Sequence, residues 1–205
     1  DPYYMTYDQR DFLRKEIFPY WKGKSLEEAF LKQVPKDTAK LLIDTGILDN
    51  DSKWRQAVGE ITPDYQDVLF PKGFKRIKEE AEEHIRALEP DSLENIEKIN
   101  FYKSVSIAAE GIMTLADRYG SKAEEMADAE KDEIRKKELY EIAKICRKVP
   151  ANPPETFHEA AQFVWFVQLG GIISENPLAL NLGRFDQYMY PYYQSDMELG
   201  RITKS

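Results

Sequence analysis

Phe74-Lys-Arg-Ile-Lys-Glu-Glu-Ala-Glu-Glu-His-Ile-Arg-Ala-Leu88 decides the fold class. Phe74, Ile77, Ala81, Ile85 and Leu88 recur at steps of three and four, while Glu79, Glu80, Glu82 and Glu83 fall mostly on the other side. That spacing predicts a helix with one apolar face and one solvated face. Pro90 stops it, and Asp91 or Ser92 can cap the next helix. Val105, Ala108, Ile112, Leu115 and Tyr119 form a second stripe, expected to end at Gly120, with Ser121 capping a polar third helix around Lys122 to Lys131. Leu139, Ile142, Ile145, Cys146 and Val149 line a fourth, which stops before Pro150.

Downstream, Pro150-Ala-Asn-Pro-Pro154 is a rigid connector with few backbone donors. Thr156 caps a helix whose body, Phe163 to Leu169, is apolar on nearly all sides, as in helices buried inside a larger protein. Gly170-Gly171 is expected to loosen it and Pro177 to break it. Leu178 to Gly183 has room for a short strand, Phe185 to Gln194 reads as an aromatic helix or turn interrupted by Pro191, and Asp196 to Gly200 reads as a turn. Thr203 sits like the cap of a helix without a body, which suggests a fragment.

The 205 residues carry 29 Lys+Arg against 37 Asp+Glu, a net charge of −8, with no basic stripe. That balance argues against a nucleic-acid partner, which needs a basic face for the phosphates. At 42% hydrophobic and 12% aromatic the chain can bury a sizeable core. The longest nearly apolar run, Phe163 to Ile173, is interrupted by Gln168 and is too short for a membrane span. Asp1-Pro2-Tyr3-Tyr4 does not read as a signal peptide, and the lone Cys146 can make no internal disulfide. The expectation is a soluble, cytoplasmic chain with neither nucleic acid nor membrane as partner.

Residues for catalysis are few. His84 lies beside an apolar stripe among glutamates, and His158 sits in a first helical turn. Neither makes a metal spacing with Cys146. Cys146 lies on an apolar stripe, where a buried structural thiol is expected. Two segments are too specific for plain scaffold. One is Gly59-Glu-Ile-Thr-Pro-Asp-Tyr-Gln-Asp-Val-Leu69, followed by Gly73-Phe74; the other is Asn181-Leu-Gly-Arg-Phe-Asp-Gln-Tyr-Met-Tyr-Pro-Tyr-Tyr193. Loops that set charge beside aromatics often line sites.

At these segments the sequence resembles the glycyl radical enzymes, the superfamily of pyruvate formate-lyase, diol dehydratases, choline lyase and arylacetate decarboxylases. Ile17-Phe-Pro-Tyr-Trp-Lys-Gly-Lys-Ser25 is similar to that family's early PYWKGKS segment. Gly59 to Leu69 resembles its G-H-x-x-P-D-Y-x-x-V-L segment, and Phe101-Tyr102 with Arg118-Tyr119 its central helix. Pro153 to Gln162 and Gly183 to Tyr188 resemble its later blocks, with the second closer to the dehydratase, choline-lyase and decarboxylase branch.

The resemblance implies a mainly α fold with at most one or two short strands: the helical N-terminal portion of an α/β barrel, incomplete at the C-terminus. It divides into N-terminal helices and loop (1–73), a helical bundle (74–149), and a buried helix with the Gly183–Tyr188 block (150–205). It implies an anaerobic lyase in which a thiyl radical abstracts hydrogen from a small organic substrate. The glycyl radical would be installed by a radical-SAM activating enzyme, and the intact enzyme would be a homodimer. This chain holds neither the radical cysteine with its following glutamate pattern nor the radical glycine loop, so no catalytic residue, bound cofactor or metal is expected within it. Where diol-dehydratase-like members carry a substrate-touching histidine, this sequence has Glu60, a substrate-binding candidate whose other reading is a structural loop acid. Asp64 and Tyr65 join it as substrate-binding candidates, with fixing and packing the loop as the alternative. Arg184 and Asp186 are expected to be structural, in a buried ion-pair network holding the aromatic block, with direct ligands as the alternative. A different reading remains open, a non-catalytic helical scaffold or binding module derived from the family.

Overall fold

The computed structural model describes residues 4–45, 60–175, 177 and 179–203, with the side chains of residues 26, 27, 30, 39, 42–45, 60 and 175 outside that description. The chain parts into two compact units, Asp1–Gly59 and Glu60–Ser205.

In the first unit, α1 (Tyr7–Phe12) runs through a π-helical turn, Leu13–Ile17, into α2 (Phe18–Trp21). Thr6 and Gln9 form a reciprocal cap, each side chain bonding the other's backbone N–H at 3.2 and 2.9 Å. The segment after α2 owes its shape to Gly23 at φ 81° and to Glu28, whose Oε2 accepts from the Gly23 N–H at 2.8 Å and the Ser25 hydroxyl at 2.8 Å. Lys24 lies over the Tyr20 ring at 3.7 Å. Two further helices follow, α3 (Leu26–Leu31) and α4 (Lys36–Thr45).

The second unit opens with β1 (Glu60–Ile61) and a π-helical turn, Tyr65–Leu69, that leads into α5 (Phe70–Arg86). Next come α6 (Leu93–Ala129), α7 (Glu133–Lys148), α8 (Phe157–Glu175), β2 (Ala179–Leu180) and α9 (Phe185–Glu198). The two strands pair in parallel, Glu60 opposite Ala179 and Ile61 opposite Leu180. The fold is mainly α, as expected, with two short strands. The expected division after residue 73 lies inside α5, where Gly73 makes a kink at φ 67°, ψ 165°. The kink lets the N–H groups of Phe74 and Lys75 bond the Pro150 and Ala151 carbonyls at 2.9 and 3.0 Å, so the proline connector is bound to α5.

Three expected breaks do not occur. Gly120 does not end α6, which continues to Ala129. Its missing side chain lets α7 approach instead: a Cβ there would stand 3.2 Å from the Ala143 carbonyl oxygen and 3.5 Å from the Cys146 Cβ. Small residues pack along this seam, with Ala116, Gly120, Ala123 and Ala127 all buried. Gly170 and Gly171 do not loosen α8, because they admit the Ile112 and Leu180 side chains beside the helix. Pro191 is carried inside α9, whose last turn takes in Asp196 to Glu198; the turn follows at Gly200. Asp196 is buried, and its carboxylate accepts from the Phe157 N–H at 2.9 Å and pairs with Arg201 at 2.9 Å. It thereby satisfies the start of α8 from another helix.

The expected face of α6 is displaced as well. The buried positions are Ile99, Ala109, Ala116, Gly120, Ala123 and Ala127, whereas Ala108 is exposed and Ile112 and Leu115 are half-buried. In α8, Phe163 and Phe166 are fully buried but Trp165 is 58% exposed, so this helix is not covered on all sides. The core joins Tyr65, Phe70, Phe163, Val164, Tyr188 and Met189. The glutamates of α5 are solvated as expected and pair along the helix with Arg76, Lys72 and Lys78. Among the described residues no helix is long and apolar enough to cross a membrane.

Candidate functional site

The two segments singled out in the sequence meet in space. β1 belongs to the first and β2 leads into the second, and the Asn181 N–H continues their ladder to the Ile61 carbonyl at 2.8 Å. Gly183 takes φ 65° and passes Thr62 so closely that a Cβ would lie 3.1 Å from its methyl group. Only glycine meets both demands easily.

Beneath this junction is an aromatic cluster. The Tyr65 ring stacks on Tyr188 with centroids 5.0 Å apart, and Phe70 presents its edge to both at 5.8 and 5.5 Å. Each phenol oxygen has a partner: Gln168 Nε2 donates to the Tyr65 oxygen at 3.2 Å, and the Tyr188 hydroxyl donates to the Leu182 carbonyl at 2.8 Å. A buried phenol resists losing its proton, so burial raises the pKa of Tyr65, Tyr188 and Tyr192 above the ordinary value of 10.0. The unfolded chain releases these protons near 10 while the folded chain retains them. Their stability contribution is therefore complete below pH 10 and lost as pH rises from 10 through the raised folded values. Alkaline denaturation followed at 295 nm is expected to show part of the absorbance of the twelve tyrosines appearing only with unfolding; ionisation of all twelve near pH 10 with helicity intact would contradict it.

Each candidate residue has a definite place. The Glu60 backbone lies in β1 and its side chain is outside the described part. Asp64 is exposed and accepts from the Asp67 N–H at 2.9 Å, which caps the π-helical turn. Tyr65 is 1% exposed, the position of a packing residue. Arg184 and Asp186 do not form the expected buried ion pair. Both are exposed, and Arg184 stands at the start of α9 with its guanidinium 3.4 Å from the Gln187 side-chain oxygen. The aromatic cluster already holds this block, so no buried charges are needed to do so.

Gln168 was legible only as the interruption of an apolar run. A lone amide in such a run needs a buried partner, and that need was the available signal. His84 is exposed and stacks on Tyr102 at 4.6 Å. Cys146 is buried, and burial raises its thiol pKa, the opposite of an activated sulfur. Among the described residues no group of three His, Cys, Asp or Glu is disposed to hold a metal.

The second unit has two concavities among its described residues. One of about 560 Å³ is lined by Pro71, Pro153, Pro154, Pro191 and Tyr192 among others. The larger, about 900 Å³, opens between α5, α6 and α8. Of the candidates whose side chains are described, Asp64, Tyr65, Arg184 and Asp186, none lines either.

Residues 1–205 match the Pyruvate formate lyase-like family. The chain belongs to that family. It is 39% identical over 212 residues to the isethionate sulfite-lyase of Nitratidesulfovibrio vulgaris, covering 99% of this chain and 25% of that protein. It is 30% identical to the trans-4-hydroxy-L-proline dehydratase of Clostridioides difficile, with 98% and 25% covered. The crystal structure of a glycyl radical enzyme from Archaeoglobus fulgidus superposes with a TM-score of 0.73 at 38% identity, over 97% of this chain and 25% of that one. The chain thus spans about a quarter of the length of these relatives, a sulfite-lyase, a dehydratase and a glycyl radical enzyme. The similarity to glycyl radical enzymes agrees with the resemblance borne by the sequence blocks.

Proposed function

We propose that these residues are the helical N-terminal portion of a cytoplasmic, anaerobic glycyl radical lyase or decarboxylase. The intact enzyme cleaves a C–C or C–heteroatom bond of a small organic substrate by thiyl-radical hydrogen abstraction, and this portion supplies scaffold and part of the pocket wall. The observation that carries the reading is the family match along all 205 residues to lyases and dehydratases about four times as long. Cys146 is buried in the α6–α7–α8 packing and does not fit the radical cysteine, so no radical step is assigned to this chain. The intact enzyme has a radical-SAM activating enzyme as partner and forms a homodimer. Within this portion, Glu60 contributes to substrate binding, with Asp64 and Tyr65 fixing its loop.

The test uses the gene's full polypeptide, activated under anaerobic conditions, with isethionate and trans-4-hydroxy-L-proline among the substrates screened. Glu60→Gln is expected to raise KM about tenfold or more, the scale of a lost charged hydrogen bond. The 205 residues alone are expected to give no turnover. An unchanged KM would remove Glu60 from the site, and turnover by the 205 residues would overturn the scaffold reading. The buried thiol also favours a second reading, a non-catalytic scaffold or binding module, if the reading frame stops at Ser205.

A further inference from the structure

The groove of about 900 Å³ has a floor made by α6 and walls made by α5 and α8. Its lining includes Phe74, Ile107, Ile112, Leu115, Val167 and Ile173. Ile107 is 72% exposed and Ile173 65%, and Ala108, Ile112 and Leu115 of the apolar stripe read on α6 line the groove beside them. Lys78 stands at the rim, pairing with Glu82 of its own helix at 3.2 Å and bridging to α6 through Glu110 at 3.0 Å.

Gly111 supplies an independent observation. It lies in the interior of a 37-residue helix, is exposed, and lines the groove. Among the described residues nothing comes within 4 Å of where its Cβ would stand. Glycine weakens a helix interior, and nothing among the described residues compensates. Gly120, on the same helix, has its reason in the close approach of α7. A bare backbone on the floor of an apolar valley suits an approach of the same kind by an element absent from these residues.

We propose that this groove seats an amphipathic helix from the remaining three quarters of the polypeptide, crossing α6 at Gly111. The proposal rests on reading the chain as one portion of a longer enzyme, since the relatives it matches are about four times as long. The occupant presents an apolar stripe to Ile107, Ile112 and Ile173 and polar flanks to Lys78, Glu110 and Arg118 at the margins.

The test is a reversal of sign at one residue. In the 205-residue chain, Gly111→Leu is expected to raise Tm by about 2–3 °C, because leucine favours the helix and its Cβ stands in open space. In the full polypeptide the same change is expected to lower Tm and to speed limited proteolysis at least about threefold, since it fills an occupied seat. Ile107→Asn, harmless in the 205-residue chain, is expected to destabilise the full polypeptide too. A rise in both backgrounds overturns the proposal, as does a fall already present in the 205-residue chain. A dimer of the 205-residue chain that Gly111→Leu dissociates gives the groove to a second copy and also overturns it. A reading frame ending at Ser205 instead removes the reading on which the proposal rests, a failure distinct from the others.

Discussion

Gly73→Ala is expected to cost the second unit about 3 kcal/mol or more, the sum of two separate faults. The first is conformational: φ 67° with ψ 165° is territory almost confined to glycine, at about 1–3 kcal/mol for any other residue. The second is steric, because the new Cβ would collide with the Ala151 carbonyl oxygen and come within 2.9 Å of two backbone carbons. Backbone cannot move aside as a flexible side chain can. Opening the gap would stretch the bonds from Phe74 and Lys75 to the proline connector, the contact that joins α5 to the turn between α7 and α8. Tm is expected to fall by about 6–12 °C. Thermal unfolding followed by circular dichroism measures this, and a midpoint within 2 °C, a roughly unchanged value, would show that the kink does not hold the connector.

The second large effect is expected at Tyr65. Its ring is 1% exposed, stacked on Tyr188 and edged by Phe70, so Tyr65→Ala leaves a cavity in the largest cluster. Removing a buried aromatic ring costs about 3–5 kcal/mol. Tyr65→Phe keeps the ring and removes only the acceptor of the Gln168 amide, at a cost of about 1–2 kcal/mol. Urea unfolding of both variants should therefore order them wild type, Phe, Ala, with most of the loss at the last step. Equal losses would mean that the hydrogen bond matters more than the packed ring. Tyr65→Ala should also weaken the β1–β2 pairing above it, seen as faster hydrogen exchange of the Asn181 amide.

What the sequence reveals here depends on the range of the interaction that decides each feature. The stripe from Phe74 to Leu88, the Ser92 cap and the stop at Pro150 are local, and local spacing finds them. Gly120, Gly170 and Gly171 read as breakers because glycine's helix propensity is a local quantity. Their actual task is to admit Ala143, Ile112 and Leu180, which lie elsewhere in the chain, and tertiary packing outweighs the propensity. The same holds for Gln168, whose partner Tyr65 is 103 residues away. Arg184 and Asp186 show the limit of composition: a basic and an acidic residue two apart read naturally as a pair, yet aromatic packing orders the block without one. The α6 stripe is legible as apolar, but not that Ala108, Ile112 and Leu115 within it line a groove, because periodicity names a face and leaves its neighbour unnamed.

The central claim is that these 205 residues serve as one portion of a much longer radical enzyme. The mass of the protein isolated under anaerobic, denaturing conditions from the cells that make it tests this most directly. The account expects about four times this chain's 23.9 kDa, in line with the quarter-length coverage of its relatives. A protein of 23.9 kDa, from a reading frame that ends at Ser205, would contradict it.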